Sequence, residues 1–346
     1  MLIQVEINVL GNSTWHPLLD TIVQLLEQDG CRHSFDIAQF EKLRTSKWLV
    51  DATGIRANTV HFIRSLSVRA FRGRPSDAVS VKIDANATRQ GKVEGKTIRI
   101  DPFGALVLLI QPLSVIVEDE TTDGGFLLWM ARALGHDTIR ESYNSGSLVF
   151  RHAGGKGQMI KSARALTHGV WPRGKKAIRS LTLRAVAVLD SDARFPGDTV
   201  NMRIQSRLRP FVAFVHVLQG RTIENYAPKY YVTQKLGGQL NSCEAYFRMG
   251  EVQRNHYPLK SGFVRGNIVQ PHAGFLVDPD WQREERALYQ TVPPADWALI
   301  ARGFGDALAA IYVESKYRCA PNERRILTVA QANELDDLLS KIVEHL

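Results

Sequence analysis

The feature that most limits how this chain can fold is a strand–helix–strand–helix–strand rhythm in its middle third. Three short apolar runs, residues 114–117, 147–150 and 183–189, have the length and composition of buried strands. Between the first two, Phe126, Leu127, Met130, Ala131 and Leu134 recur at helical spacing and Gly135 supplies the stop. Between the second and third, a glycine turn (Gly154, Gly155, Gly157) leads into a helical pattern over about 158–166. Strands alternating with helices at this spacing predict an α/β fold with a doubly wound, mostly parallel sheet. In such a sheet functional residues gather at the carboxyl ends of the strands. Those ends read Glu118, Arg151-His152 and Asp190-Ser191-Asp192.

The flanks set the organisation. With 346 residues the chain is long enough for two or three packed units. Residues 1–108 read as an N-terminal α/β or α+β unit, 109–228 as the doubly wound unit, and 229–346 as a mostly helical extension completing the core or mediating assembly. In the first unit, residues 1–10 alternate as a strand. Residues 17–28 form an amphipathic helix stopped by Gly30, and 59–68 a second helix. Residues 79–83 and 96–100, around Gly91 and Gly95, have the pattern of a hairpin. Arg56, Arg64, Arg69, Arg72 and Arg74 occur there without an acid among them, as a binding face or a solvated helix face. At the far end Thr328 and Gln331 form a capping box, and Leu335, Leu338, Leu339, Ile342 and Val343 make the buried stripe of a last helix.

Bulk properties exclude several classes. Cys31, Cys243 and Cys319 form no CxxC pair, so neither a zinc ribbon nor a disulfide framework is indicated, and a reducing cytoplasm fits. The opening MLIQVEINVL lacks a basic region and carries Glu6 and Asn8 inside its apolar stretch, so it is not a signal peptide. The longest apolar run, 104–117, is interrupted by Gln111-Pro112 and is too short to span a bilayer. A soluble cytoplasmic protein without a membrane partner is expected. The net charge of +9 suits an anionic partner such as nucleic acid.

The chemistry is carried by carboxylates. Asp190 and Asp192, two residues apart after a buried strand, can both aim at one point beyond the sheet, where like charges repel unless a cation lies between them. Glu118 ends a second strand and adds a third carboxylate; alone it could be the polar residue that closes a strand, and the two aspartates could be turn formers. Mg²⁺ prefers one or two carboxylates plus water and phosphate oxygens. Asp119, Glu120, Asp123 and Asp198 are available as a fourth ligand. Between Glu141 and Asp190 there is no acid, but nine basic residues: Arg151, Lys156, Lys161, Arg164, Arg173, Lys175, Lys176, Arg179 and Arg184. Acids at strand tips beside an all-basic connection suit a metal-dependent enzyme acting on a polyanion. The glycine turn before Lys156 lets backbone N–H groups approach an anion, though a plain turn also needs glycine. It is not a phosphate loop of the GxxxxGK[ST] kind, so ATP hydrolysis is not expected.

At these residues the sequence resembles the TOPRIM family. The similarity is strongest to TOPRIM domains of bacterial nucleases of the overcoming-lysogenisation-defect type and their relatives in anti-phage systems. The resembling stretches are VIVEDETTDGGFLLWMARAL (115–134), LVFRHAGGKGQMIKSARAL (148–166), VAVLDSDARFPGD (186–198) and LQGRTIENYAP (218–228), roughly the middle third of the chain. The resemblance implies a TOPRIM-like fold and a nuclease. Glu118 would serve in acid–base chemistry or metal binding, Asp190 and Asp192 would be metal ligands, and Asp123 a further ligand. Mg²⁺ or Mn²⁺ would be the cofactor, with DNA or RNA as partner and a separate ATPase or sensor protein activating it in defence. His152, Lys156, Lys161, Arg164 and Arg221 would contact nucleic acid. Glu224 in the Arg221–Tyr226 segment has a site-proximal role or belongs to a corner that only packs. Tyr257-Pro-Leu-Lys260-Ser-Gly262-Phe263 resembles a late lysine-bearing segment, which implies a catalytic role for Lys260 on the phosphate. The chain departs from the family where an acid four residues after the glutamate is common: Thr122 stands there, with Asp123 one place later. No topoisomerase-like tyrosine domain or primase-like zinc module is recognised. The expectation is therefore a Mg²⁺-dependent endonuclease. Its rivals are a non-catalytic TOPRIM-like nucleic-acid-binding or assembly protein and a nucleotidyl-transfer enzyme; self-association into a homo-oligomer is open.

Overall fold

The computed structural model describes residues 1–27, 33–36, 40–50, 79–168 and 179–346. Gly30, Cys31, the expected helix at 59–68, the arginines Arg56, Arg64, Arg69, Arg72 and Arg74, and Arg173, Lys175 and Lys176 lie outside the described residues. Described strands form two larger sheets and one short hairpin.

The first sheet belongs to the N-terminal part. Strands β1 (Leu2–Val5), β2 (Ser34–Phe35), β3 (Ser80–Ile83), β4 (Lys92–Glu94) and β5 (Thr97–Ile100) lie in the order β2-β1-β3-β5-β4. Its core joins Ile3, Val5, Val81, Ile83, Ile98 and Ile100 to the apolar faces of the His16–Glu27 and Pro102–Ile110 helices. Two expectations are corrected here. The first strand stops at Val5, and Ile7–Leu10 is a helical turn. In that turn Val9 and Leu10 are buried while Ile7 is exposed, and the Asn8 amide reaches back to donate to Asp84 Oδ1 at 2.8 Å. The 79–83 and 96–100 segments do not form a hairpin with each other. They are parallel, β3 to β5, and the hairpin joins β4 to β5 through Gly95-Lys96, with Gly95 at φ 61°. Apolar alternation is equal in β3 and β5, so it cannot tell parallel from antiparallel. The polar strand β4 takes the exposed edge, where charged side chains remain hydrated.

The second sheet is built as the rhythm predicts. Strands β6 (Leu113–Val117), β7 (Leu148–His152), β8 (Ala185–Leu189) and β9 (Val215–Val217) lie in the order β7-β6-β8-β9, and every pairing is parallel. All five residues of β6 and of β8 are buried, as in a sheet covered on both faces. The period of two divides them: Val115, Val117, Val186 and Val188 face one cluster, and Ile116, Ala185, Ala187 and Leu189 the other. The Thr122–Leu134 helix covers the first face, ending at Gly135 with φ 80°. The Lys156–His168 helix covers the second through Met159 and Ala163. Leu183 is not part of the strand; it lies in a 3₁₀ segment and packs into the N-terminal core.

Buried apolar residues from Tyr231 to Leu346 merge with the first face of this sheet into one cluster, so the C-terminal part completes that core. It is helical apart from the hairpin β10 (Val264–Arg265) and β11 (Ile268–Val269). Its last helix, Val329–His345, has the capping box of Thr328 and Gln331 and buries Leu335, Leu338, Leu339 and Ile342. Among the described residues no helix is long and apolar enough to cross a membrane.

Candidate active site

The chain runs from β6 out to β7 on one side and then to β8 on the other, so the topological switch lies between β6 and β8. Crevices outside the carboxyl ends of strands at such a point are where ligands bind in open α/β sheets. Glu118 directly follows β6, and Asp190 directly follows β8.

Each loop is fixed by its own polar groups. After Glu118, Asp119 Oδ1 accepts from the N–H groups of Thr121 and Thr122, both at 2.8 Å, which starts the covering helix. Asp123 Oδ2 accepts from Asp119 N–H at 3.0 Å. The Asp190–Asp192 turn is gripped from behind. Asn201 Nδ2 donates to Asp190 O at 2.7 Å and Ser191 O at 2.9 Å, Ser191 Oγ donates to Gly220 O at 2.9 Å, and Asp192 N–H donates to Arg221 O at 2.9 Å. Asp192 has φ 51°, a left-handed conformation that a non-glycine residue adopts at a cost, and such residues cluster at functional sites.

Lys156 opens the helix after β7, preceded by Gly154 at φ 73° and Gly155 at φ 94°. Its ammonium touches Asp192 Oδ2 and lies 3.2 Å from Glu118 Oε1, with only 15% of its side chain exposed. The Glu118 contact is an ion pair outside hydrogen-bond alignment, so this buried oxygen has no hydrogen-bond partner.

A fourth carboxylate comes from the segment after β9. Glu224, in the 3₁₀ segment Ile223–Tyr226, is 2% exposed, and its Oε2 also lacks a hydrogen-bond partner. Lys260 Nζ stands 3.3 Å from Glu224 Oε1. The neighbours of Glu224 hold it there. Tyr226 Oη donates to Glu334 Oε2 at 2.6 Å and accepts from Gly220 N–H at 2.9 Å, while Asn225 Nδ2 donates to Arg254 O and Tyr257 O. The Asn-Tyr corner therefore packs and also presents the glutamate.

Electrostatics tie the set together. Burial, with Asp123, Glu224 and Glu118 nearby, pushes Asp190 well above the usual carboxylate range, against the pull of Lys156, although the residue keeps some solvent access. Burial also raises Glu118, opposed by Lys156 and reinforced by Asp123 and Asp192, and it raises Asp123, with Asp119 and Glu224 adding to it. Lys260 is raised despite its own burial, because Glu224, Asp306 and Asp190 favour its charged form.

The structure thus brings Glu118, Asp190, Asp192, Asp123, Lys156 and Lys260 to one rim. His152 is exposed at the tip of β7, and Lys161 and Arg164 are exposed on the helix that begins with Lys156, without ion pairs among the described residues. Arg221 points elsewhere: its guanidinium donates to His256 O at 3.4 Å and lies near Glu285, a buried glutamate pushed up to about 7 by desolvation. Asp198, considered as a fourth ligand, is bound to Arg194 at 3.1 Å instead. Glu224 is the further acid that the structure brings to this rim; its sequence signal was the apolar run before it. Asn201 had no such signal, because its role depends on where the turn it grips comes to lie.

The donor set suits a hard divalent cation: carboxylate oxygens, two of them buried without hydrogen-bond partners. Among the described residues, however, no three His, Cys, Asp or Glu side chains converge as a metal cage. The Lys156 ammonium holds the space between Glu118 and Asp192. Comparison of the chain with protein-family models, with curated proteins and with solved structures returns no match.

Proposed function

We propose that this chain is a Mg²⁺- or Mn²⁺-dependent endonuclease of the TOPRIM kind, hydrolysing phosphodiester bonds in DNA or RNA. The observation that carries the reading is the meeting of four acids from three loops at the β6–β8 switch point, where Glu224 Oε2 is buried without a hydrogen-bond partner and Glu118 Oε1 is buried with only the Lys156 ion pair. Burying Glu224 Oε2 without a hydrogen-bond partner costs free energy that a ligand would offset.

Glu118, Asp190, Asp192 and Glu224 are the oxygen donors that would hold the cation, and Asp123 keeps one oxygen on the Asp119 N–H while adding negative charge. A bound divalent ion supplies phosphate neutralisation, an acidified water and stabilisation of the leaving oxygen. The protein's own groups do the rest. Lys260, half-exposed beside Glu224, can turn its ammonium to a phosphate oxygen. His152, Lys161 and Arg164 face solvent where they can hold the backbone of a polyanion. The part in anti-phage defence, with a separate ATPase or sensor as activator, rests on the resemblance alone.

One observation favours a second reading, a non-catalytic nucleic-acid-binding or assembly protein: the missing metal cage among the described residues. The deciding experiment incubates the purified protein with plasmid DNA and with total tRNA in Mg²⁺, Mn²⁺ or EDTA, beside Glu118→Ala and Asp190→Ala. Metal-dependent cutting that both variants lose supports the nuclease. Binding of nucleic acid without cutting, unchanged in both variants, supports the second reading. Cutting that persists in both variants refutes the assigned site.

A further inference from the structure

Lys156 takes part in the acid cluster in a way that family resemblance and the proposed chemistry leave unused. A lysine that only gripped nucleic acid would project into solvent, as Lys161 does on the same helix. Lys156 instead turns inward. It bridges carboxylates from two strand ends, touching Asp192 Oδ2 and standing 3.2 Å from Glu118 Oε1. Its backbone explains how it gets there. Two successive glycines at φ 73° and 94° swing the chain from β7 into the helix, and a Cβ on the second would meet no atom within 4 Å. Conformation and not crowding therefore demands glycine there, placing Lys156 at the first helical position over the acids.

We propose that Lys156 is a built-in counter-ion. It holds the divalent-cation position between Glu118 and Asp192, and a nucleic-acid phosphate at this rim draws its ammonium away so that the cation can enter. This rests on the metal-dependent reading above and adds that cation loading and phosphate binding are coupled through one side chain. The physical reason is direct. An ammonium and a divalent cation compete for the same carboxylate oxygens, and both cannot sit between Glu118 and Asp192. A phosphate offers the ammonium an equivalent anionic partner at the site entrance. Because coupling between two ligands is reciprocal, the cation must also tighten nucleic-acid binding by the same factor.

The test uses the full chain and reads Mn²⁺ binding by the electron paramagnetic resonance of free Mn²⁺. Titrations are run with and without a short single-stranded oligodeoxynucleotide, against a protein-free blank holding the same oligonucleotide. Expected for the wild type is weak Mn²⁺ binding that the oligonucleotide tightens by about tenfold, within the usual range for coupled sites. Lys156→Met should bind Mn²⁺ about tenfold more tightly without the oligonucleotide and show almost no further gain with it. Lys156→Arg, which keeps the charge, should keep the coupling, and Lys156→Gln gives a polar neutral variant if the methionine variant does not fold. Neutral variants that bind Mn²⁺ no more tightly than the wild type overturn the counter-ion role; if Glu118→Gln also abolishes wild-type Mn²⁺ binding, the metal-dependent reading survives. Absence of Mn²⁺ binding in the wild type and in every Lys156 variant overturns both together.

Discussion

Replacing Gly262 by alanine tests how Lys260 is brought to the site. The loop carrying Lys260 lies against residues 301–305, with Phe263 N–H to Ala301 O at 2.7 Å, Phe304 N–H to Leu259 O at 2.7 Å and Gly305 N–H to Lys260 O at 3.0 Å. The two backbones approach so closely that a Cβ on Gly262 would stand 2.2 Å from Gly303 N and 2.4 Å from Ala301 O, and one on Gly303 would stand 2.4 Å from Gly262 N. Backbone atoms are the obstacle, so no side-chain rotation relieves it. Gly262 also has φ 58°, which costs alanine about 1–2 kcal/mol. The overlap adds about 1–3 kcal/mol, the range for overpacking. Gly266, in the β10–β11 turn, is the comparison: its φ is 59°, and a Cβ there meets nothing within 4 Å. With about 2 °C of melting temperature per kcal/mol in a protein of this size, Gly266→Ala should lose about 2–4 °C and Gly262→Ala about 4–10 °C. Differential scanning fluorimetry in EDTA reads both. Gly262→Ala combined with Gly303→Ala should cost less than the sum, since the first methyl group already parts the backbones. Equal losses for Gly262→Ala and Gly266→Ala would refute the close-approach argument.

Three further outcomes are expected. Tyr226→Phe removes the hydroxyl between Gly220 N–H and Glu334, which leaves a buried carboxylate oxygen short of its donor and should cost about 1–3 kcal/mol of stability; an unchanged melting temperature counts against the corner as the support of Glu224. The folded-state pKa of Asp190 is raised by burial, so its contribution to stability is full below the unfolded value and falls as pH climbs toward the folded one, by about 1.4 kcal/mol for each unit of elevation. In EDTA, Asp190→Asn should therefore gain melting temperature over the wild type as pH goes from acidic to mildly alkaline, and a gap that shrinks reverses the sign of the argument. Lys260→Met should lower cleavage by about 10²-fold with little loss of stability, because 51% of the side chain is exposed; activity within twofold of wild type removes Lys260 from the chemistry.

The order of strands and helices from Leu113 to Leu189 was legible because parallel strands buried on both faces must be apolar throughout, and covering helices must be apolar on one side. The same logic located Glu118, Asp190 and Asp192, since strand ends are where a run of buried residues stops. It could not orient β3 against β5, because alternation looks the same in either direction. Nor could it tell that Asp198 is bound by Arg194, or decide between a site-proximal Glu224 and a corner that only packs, since the apolar run before Glu224 does not fix which way the side chain turns.

Local patterning thus determined which segments become strands and helices and which side chains stand at their ends, because those depend on neighbours within a turn or two. Tertiary structure alone decided which ends meet. Glu118 and Asp192 face one ammonium because β6 and β8 are adjacent, Glu224 joins them beside Tyr226, which Glu334 anchors from more than a hundred residues away, and Lys260 joins them because its loop packs against residues 301–305. Those juxtapositions arise from packing and hydrogen bonding between distant parts of the chain, which no short stretch of sequence encodes.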